Sequence, residues 1–144
     1  MPDDFFLTVE RDIPAPIEAV FDAWFDPTLM EQWMTPASDV AVEASANPVV
    51  GGSFRIVMKG RGREIEHVGE YVVIDRPNRL VFTWKSEPAG DTIITVEFSR
   101  LTDRSTRVTL THSRFATGET REQHRGGWTA LLESLARVLE LREI

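Results

Sequence analysis

The chain has 144 residues, of which 42% are hydrophobic and 27% are charged, an ordinary composition for a soluble globular protein that can bury a sizeable core. It contains no cysteine, which excludes disulfides, thiolate zinc sites and a thiol nucleophile. The formal net charge of −7 argues against nucleic acid as a partner, because phosphate contacts need a basic surface.

The start of the chain and its hydropathy bear on localisation. No apolar run approaches the roughly 18 residues that a membrane-spanning helix needs, and the N-terminal sequence MPDDFF is acidic where a secretory signal would be basic. We therefore expect a cytoplasmic protein that does not insert into a membrane. No linker, repeat or low-complexity segment is evident, so we expect one domain over residues 1–144.

The first part of the chain predicts one strand followed by two short helices. Residues 5–9 alternate between two faces, which is typical of a strand. Pro16 is expected as the first residue of a helix that runs to Asp26, because proline is tolerated at that position. Asp26 can then cap a second helix that begins at Pro27 and ends at Pro36.

From residue 39 onward the pattern indicates strands separated by turn residues. The gaps between them carry glycine, proline, asparagine and aspartate, which reverse a chain in few residues. Such short connections favour antiparallel neighbours. The six predicted strands cover residues 39–44, 53–59, 64–74, 79–85, 92–101 and 106–113.

Residues 121–141 predict one long amphipathic helix, because apolar side chains recur at spacings of three and four from Trp128 onward. Thr120 and Gln123 have the spacing of a capping box at its start. A helix of about 20 residues is about 30 Å long, enough to cover a curved sheet. We expect it to close the mouth of a sheet-lined cavity.

Two adjacent glycines, Gly126 and Gly127, lie inside this predicted helix, where each costs about 1 kcal/mol relative to alanine. Either they leave room for a ligand or an entrance hinge, or the backbone approaches the sheet or the helix pair closely. We favour the close approach.

Several local sequences together resemble a known superfamily. They are WFDP from Trp24, GGSFR from Gly51, HVGEY from His67, PNRLVFTW from Pro77 and HRGGW from His124. The combination resembles the START-like superfamily and, within it, the branch similar to the C-terminal domain of the activator of the ninety-kilodalton heat-shock chaperone ATPase.

The resemblance implies an α+β helix-grip fold, in which a seven-stranded curved antiparallel sheet wraps around a long C-terminal helix, with two short helices between strands 1 and 2. It also implies a central hydrophobic cavity. Members of the superfamily bind lipids, hormones or polyketides, and some are cyclases, so the fold does not by itself specify an activity.

We expect the cavity to be lined by apolar side chains, with polar orientation of a ligand from His67, Tyr71 or His112. His67 and Tyr71 are four residues apart on one strand and so face the same side; they either contact a ligand or pack as structural residues. The apolar lining is predicted to be Phe54, Ile56, Met58, Phe82, Trp84, Val96, Leu110, Trp128, Leu131 and Leu135.

No catalytic residue, metal site or cofactor is predicted. The three histidines lack the spacing of metal ligands, and no serine lies in a nucleophile elbow.

Three functions stay open. The first is binding of a small hydrophobic ligand. The second is an enzyme of cyclase or dehydratase type that uses the same polar residues. The third is a module that interacts with a chaperone; it is the least favoured, because the resemblance covers only one domain of the activator. A homodimer is compatible with all three.

Overall fold

The computed structural model describes residues 5–35 and 39–142, and its elements follow the predicted order. The end of the second helix predicted at Pro36 lies outside the described residues. In chain order the elements are β1 (Phe5–Ile13), α1 (Ile17–Asp22), α2 (Pro27–Trp33), β2 (Ala41–Ala46), β3 (Ser53–Gly60), β4 (Arg63–Asp75), β5 (Arg79–Ser86), β6 (Gly90–Thr102), β7 (Ser105–Phe115) and α3 (Gly118–Arg142).

The seven strands form one antiparallel sheet in the order β1-β7-β6-β5-β4-β3-β2. Every pair except β1 and β7 joins strands that are consecutive in the chain, so short turns suffice for the connections. The helix α3 packs mainly against β1, with further contacts to β7 and α2. This arrangement confirms the predicted helix-grip fold, with two short helices between β1 and β2.

The two short helices begin differently. The predicted cap of α2 is confirmed: the Asp26 carboxylate accepts hydrogen bonds from the backbone N–H groups of Thr28 at 3.0 Å and Leu29 at 3.4 Å. The predicted bounds of α1 are wrong. Pro16 has an extended ψ of 149° and therefore precedes the helix, which ends at Asp22, four residues earlier than expected.

The long helix α3 begins earlier than its apolar pattern suggests. The Thr117 hydroxyl accepts a hydrogen bond from the Thr120 backbone N–H at 3.1 Å, so Thr117 caps a helix that starts at Gly118. The predicted capping box at Thr120 and Gln123 is therefore wrong. The first two turns carry few apolar residues, which is why periodicity alone places the start too late.

The core lies between the sheet and the helices. All four tryptophans are at most 2% exposed and pack in this core. Gly69 has a packing role of its own, because a Cβ there would lie 1.9 Å from the Thr83 carbonyl oxygen and 2.7 Å from the Phe54 ring. No helix in the described part of the chain combines the length and apolarity needed to cross a membrane.

Candidate functional site

A cleft of about 180 Å³ opens between the N-terminal half of α3 and strands β3, β4 and β5. The side chains that surround it carry no formal charge at neutral pH when the histidines are in their neutral form. The lining residues are Met58, Ile65, His67, Trp84, Pro88, Gln123, His124, Gly127, Trp128 and Leu131.

The double glycine lies beside open space. A Cβ at either Gly126 or Gly127 would meet no atom within 4 Å outside the adjacent helix backbone, so the close backbone approach that the sequence favoured is wrong. Gly127 lines the cleft, whereas Gly126 is exposed. The missing side chain at Gly127 therefore leaves room in the cleft.

Beyond Trp84 the interior is nearly closed. A void of about 10 Å³, about enough for one water molecule, lies beside Phe54, Ile56, Tyr71 and Phe82. Trp84 borders both this void and the cleft.

The predicted lining residues thus divide into three groups. Five of them line the cleft: Met58, His67, Trp84, Trp128 and Leu131. Four surround the small void: Phe54, Ile56, Tyr71 and Phe82. Val96, Leu110, His112 and Leu135 are fully buried and line neither.

His67 lies on the cleft wall without a hydrogen-bond partner. Its side chain is 6% exposed, and both ring nitrogens are buried and unpaired within the described residues. The ring stacks on Trp84, with centroids 4.7 Å apart and planes at 28°. Burial, with a smaller contribution from nearby His124, lowers the pKa of His67 to about 4, so the imidazole is neutral at pH 7.

Tyr71, the other polar residue predicted on this strand, does not share the cleft with His67. It borders the small void and packs against Phe25 and Phe54, with ring centroids 5.2 and 5.5 Å away. Burial raises the pKa of its phenol, which is therefore neutral across the ordinary pH range. A bulge separates Tyr71 from Val73 in the pairing of β4 with β5.

His112 has no exposed surface and is fully hydrogen-bonded. Its Nδ1 accepts from the Trp128 indole N–H at 3.0 Å, and its Nε2 donates to the Thr92 hydroxyl at 2.7 Å. Thr92 in turn donates to the Trp84 carbonyl oxygen at 2.6 Å. Burial lowers the pKa of His112 to about 3, with smaller contributions from His124 and His67. This chain of hydrogen bonds ties α3 to β5, β6 and β7.

Five cleft residues were not among the predicted site residues: Ile65, Pro88, Gln123, His124 and Gly127. Two signals were available. Ile65 is two residues before His67 on one strand, and His124 is four residues before Trp128 on one helix, so each pair shares a face. Nothing in the sequence indicates that the turn at Pro88 reaches the cleft.

Within residues 5–35 and 39–142, no group of three or more histidine, aspartate or glutamate side chains is placed to hold a metal ion. His67 and His112 both pack against Trp84, with ring centroids 4.7 and 6.3 Å away. His112 packs edge-on to His124 at 5.4 Å and to Trp128 at 6.3 Å between ring centroids.

Comparison with known proteins places this geometry in a family. The model of the family described as "Activator of Hsp90 ATPase homolog 1-like protein" matches residues 14–140. No curated protein matches the chain.

Solved structures share the fold over nearly the whole chain. A protein from Chromobacterium violaceum is 22% identical with a TM-score of 0.85, and covers 94% of this chain and 97% of its own. An AHSA1-like protein from Aeromonas hydrophila is 25% identical with a TM-score of 0.81, and covers 96% of this chain and 94% of its own.

Proposed function

The chain belongs to the family described as Activator of Hsp90 ATPase homolog 1-like protein, and from this premise and the geometry of the cleft we propose that it binds a small, mainly apolar ligand under α3. The volume of about 180 Å³ is below the roughly 300 to 1,000 Å³ typical of pockets for drug-sized molecules. A ligand of one or two rings, or a short aliphatic chain, suits it.

The observation that carries this proposal is the open space at Gly127. A glycine inside a helix costs about 1 kcal/mol relative to alanine, and a Cβ at Gly127 would meet no atom within 4 Å outside the adjacent helix backbone. Tryptophan rings at 84 and 128 form walls of the same cleft. Apolar surface exposed to water is unfavourable, so a cleft with this lining supports the binding of an apolar ligand.

We prefer binding to catalysis because of the surroundings of His67. A general base is ordinarily oriented by a hydrogen-bonding group, and neither nitrogen of His67 has such a partner among the described residues. The lowered pKa of His67 also makes this imidazole a weak base. A cyclase or dehydratase acting in the same cleft is the alternative, and single-turnover assays on any compound that binds would reveal it.

The test is a thermal-shift screen with one- and two-ring aromatic compounds and short aliphatic alcohols and ketones, followed by titration of the best compound. A ligand that binds the native state raises the melting temperature by mass action. Gly127→Leu places a side chain in the cleft and should abolish the shift. Gly126→Leu is the matched control: it adds the same side chain to the same helix at an exposed position, and it should keep the shift.

Equal loss of binding in both variants would mean that the ligand does not occupy the cleft. Absence of any binder in the screen would count against the proposal itself.

A further inference from the structure

The hydrogen bond that His124 makes to its own helix determines which of its ring nitrogens carries the proton. Nδ1 lies 2.9 Å from the Thr120 carbonyl oxygen. A carbonyl oxygen only accepts, so Nδ1 carries the hydrogen of this bond. Burial lowers the pKa of His124, which favours the neutral ring at pH 7. In a neutral imidazole with a proton on Nδ1, Nε2 is an acceptor.

This acceptor is available on the cleft wall. His124 lines the cleft, and its Nε2 has no hydrogen-bond partner among residues 5–35 and 39–142. It is also not among the fully buried unpaired atoms of that part of the chain, in contrast to both nitrogens of His67. Nε2 is therefore not enclosed in the core, and it belongs to a side chain that lines the cleft.

The remaining lining limits the charge of the ligand. It contains no lysine, arginine, aspartate or glutamate, so neither an anion nor a cation finds an ionic partner. An unpaired charge in an apolar site is strongly unfavourable. An anion would in addition face the lone pair of Nε2.

Resting on the proposed function, we infer that the ligand is an uncharged molecule whose O–H or N–H group donates a hydrogen bond to His124 Nε2, with an apolar body between Trp84, Trp128 and Leu131. Phenols and alcohols on a small ring system have this chemistry. His124 is then the residue that sets the specificity of the cleft for a donor group, while the tryptophans accept the apolar body.

The experiment uses three probes with one ring system: 2-naphthol, which donates a hydrogen bond; 2-methylnaphthalene, which has a similar shape and does not; and 2-naphthoate, which is an anion. Dissociation constants come from equilibrium dialysis at pH 7. The quantity of interest is the preference ratio, the dissociation constant of 2-methylnaphthalene divided by that of 2-naphthol.

We expect His124→Phe to lower this ratio about 2- to 10-fold, which is the worth of one hydrogen bond. Gly126→Leu, which adds a side chain at an exposed position of the same helix outside the cleft, should leave the ratio unchanged. In the unsubstituted protein, 2-naphthoate should bind at least about 10-fold more weakly than 2-naphthol.

A second measurement needs no variant. The ¹⁵N chemical shift of His124 Nε2 should move when 2-naphthol is added and stay unchanged with 2-methylnaphthalene, because only the former donates to the lone pair. This holds even if His124→Phe fails to fold.

The outcomes separate the two proposals. If 2-methylnaphthalene and 2-naphthol bind but His124→Phe does not alter the preference ratio, the inference is overturned and the proposed function stays intact. The same holds if 2-naphthol binds without a shift of the Nε2 resonance. Binding of none of the three probes overturns the inference, and absence of any binder in the thermal-shift screen as well overturns both.

Discussion

His67 and His112 are both buried imidazoles next to Trp84, and their hydrogen bonding is opposite. His112 uses both nitrogens, one as acceptor from Trp128 and one as donor to Thr92. His67 uses neither within the described residues. Because an unsatisfied buried polar group costs about 1–3 kcal/mol, the two residues should respond to the same substitution with opposite signs.

His67→Phe should raise the free energy of unfolding by about 1 kcal/mol, since it removes two unpaired nitrogens and keeps a ring stacked on Trp84. Urea denaturation at pH 7.5 measures it, and an unchanged m value would confirm that only stability differs. A loss of about 1 kcal/mol or more would contradict the prediction and would mean that His67 is hydrogen-bonded in solution.

His112→Phe should instead lower the free energy of unfolding by about 1–3 kcal/mol, because the Trp128 indole N–H is left buried without its acceptor. Thr92 keeps its bond to the Trp84 carbonyl oxygen, which limits the loss. The same urea titration applies, with His67→Phe as the matched variant. If both variants shift stability in the same direction, ring size rather than hydrogen bonding determines the effect.

The sequence could place these two histidines in the interior but could not distinguish them. Strand alternation puts His67 on an inward face, and His112 follows the same alternation on β7. What separates them is the indole of Trp128, which reaches His112 from a helix in another part of the chain. A contact between residues 16 positions apart on different elements leaves no trace in local periodicity.

At the level of the element, α3 combines two functions along its length. Its C-terminal part carries the buried residues Leu132, Leu135 and Leu139, which hold the helix on the sheet. Its N-terminal part presents His124, Gly127 and Trp128 to the cleft. The apolar stripe of the helix was predictable because its spacing repeats, whereas its start at Gly118 depends on the Thr117 hydroxyl, which lies ahead of that stripe.

Substitution of the two glycines by alanine tests whether the N-terminal part of α3 is free of close packing at these positions. Both Gly126→Ala and Gly127→Ala should raise the free energy of unfolding by about 1 kcal/mol, because alanine favours the helix and a Cβ meets no atom at either position. Thermal and urea unfolding measure the change. A loss of stability at Gly127 alone would show that the backbone there approaches a neighbour closely in solution.

At the scale of the whole molecule, the order of strands and helices followed from turn residues and periodicity, because each is a local property of the chain. The sequence did not predict which of the lining residues border the cleft and which are buried in the closed core. Val96 and Leu110 alternate on inward faces as Met58 does on β3, yet they lie in the closed part of the core. The helix α3 crosses β1 and β7, and this crossing determines which end of the sheet stays open. The crossing is a long-range feature that local sequence patterns do not encode.

The histidines also make the stability of the whole molecule depend on pH. All three have pKa values lowered chiefly by burial, to about 4 for His67 and about 3 for His112. A histidine in the unfolded chain has a pKa of about 6.5, so between pH 6.5 and pH 4 the unfolded state binds more protons than the native state. The stability that burial of the neutral rings provides is therefore complete above pH 6.5 and is lost progressively as the pH falls.

We expect the free energy of unfolding to fall by about 5 kcal/mol between pH 7.5 and pH 4.5, as measured by urea titrations across that range. The exposed ion pairs of Asp12 and Asp39, whose arginine partners lower the pKa of each carboxylate, weaken only at lower pH. His67→Phe is the control. It should reduce the slope near pH 5.5 by about one proton, or about 1.4 kcal/mol per pH unit, because one of the groups that takes up a proton on unfolding has been removed. A slope identical in both proteins would mean that His67 already titrates normally in the native state, and hence that water reaches its nitrogens from the cleft.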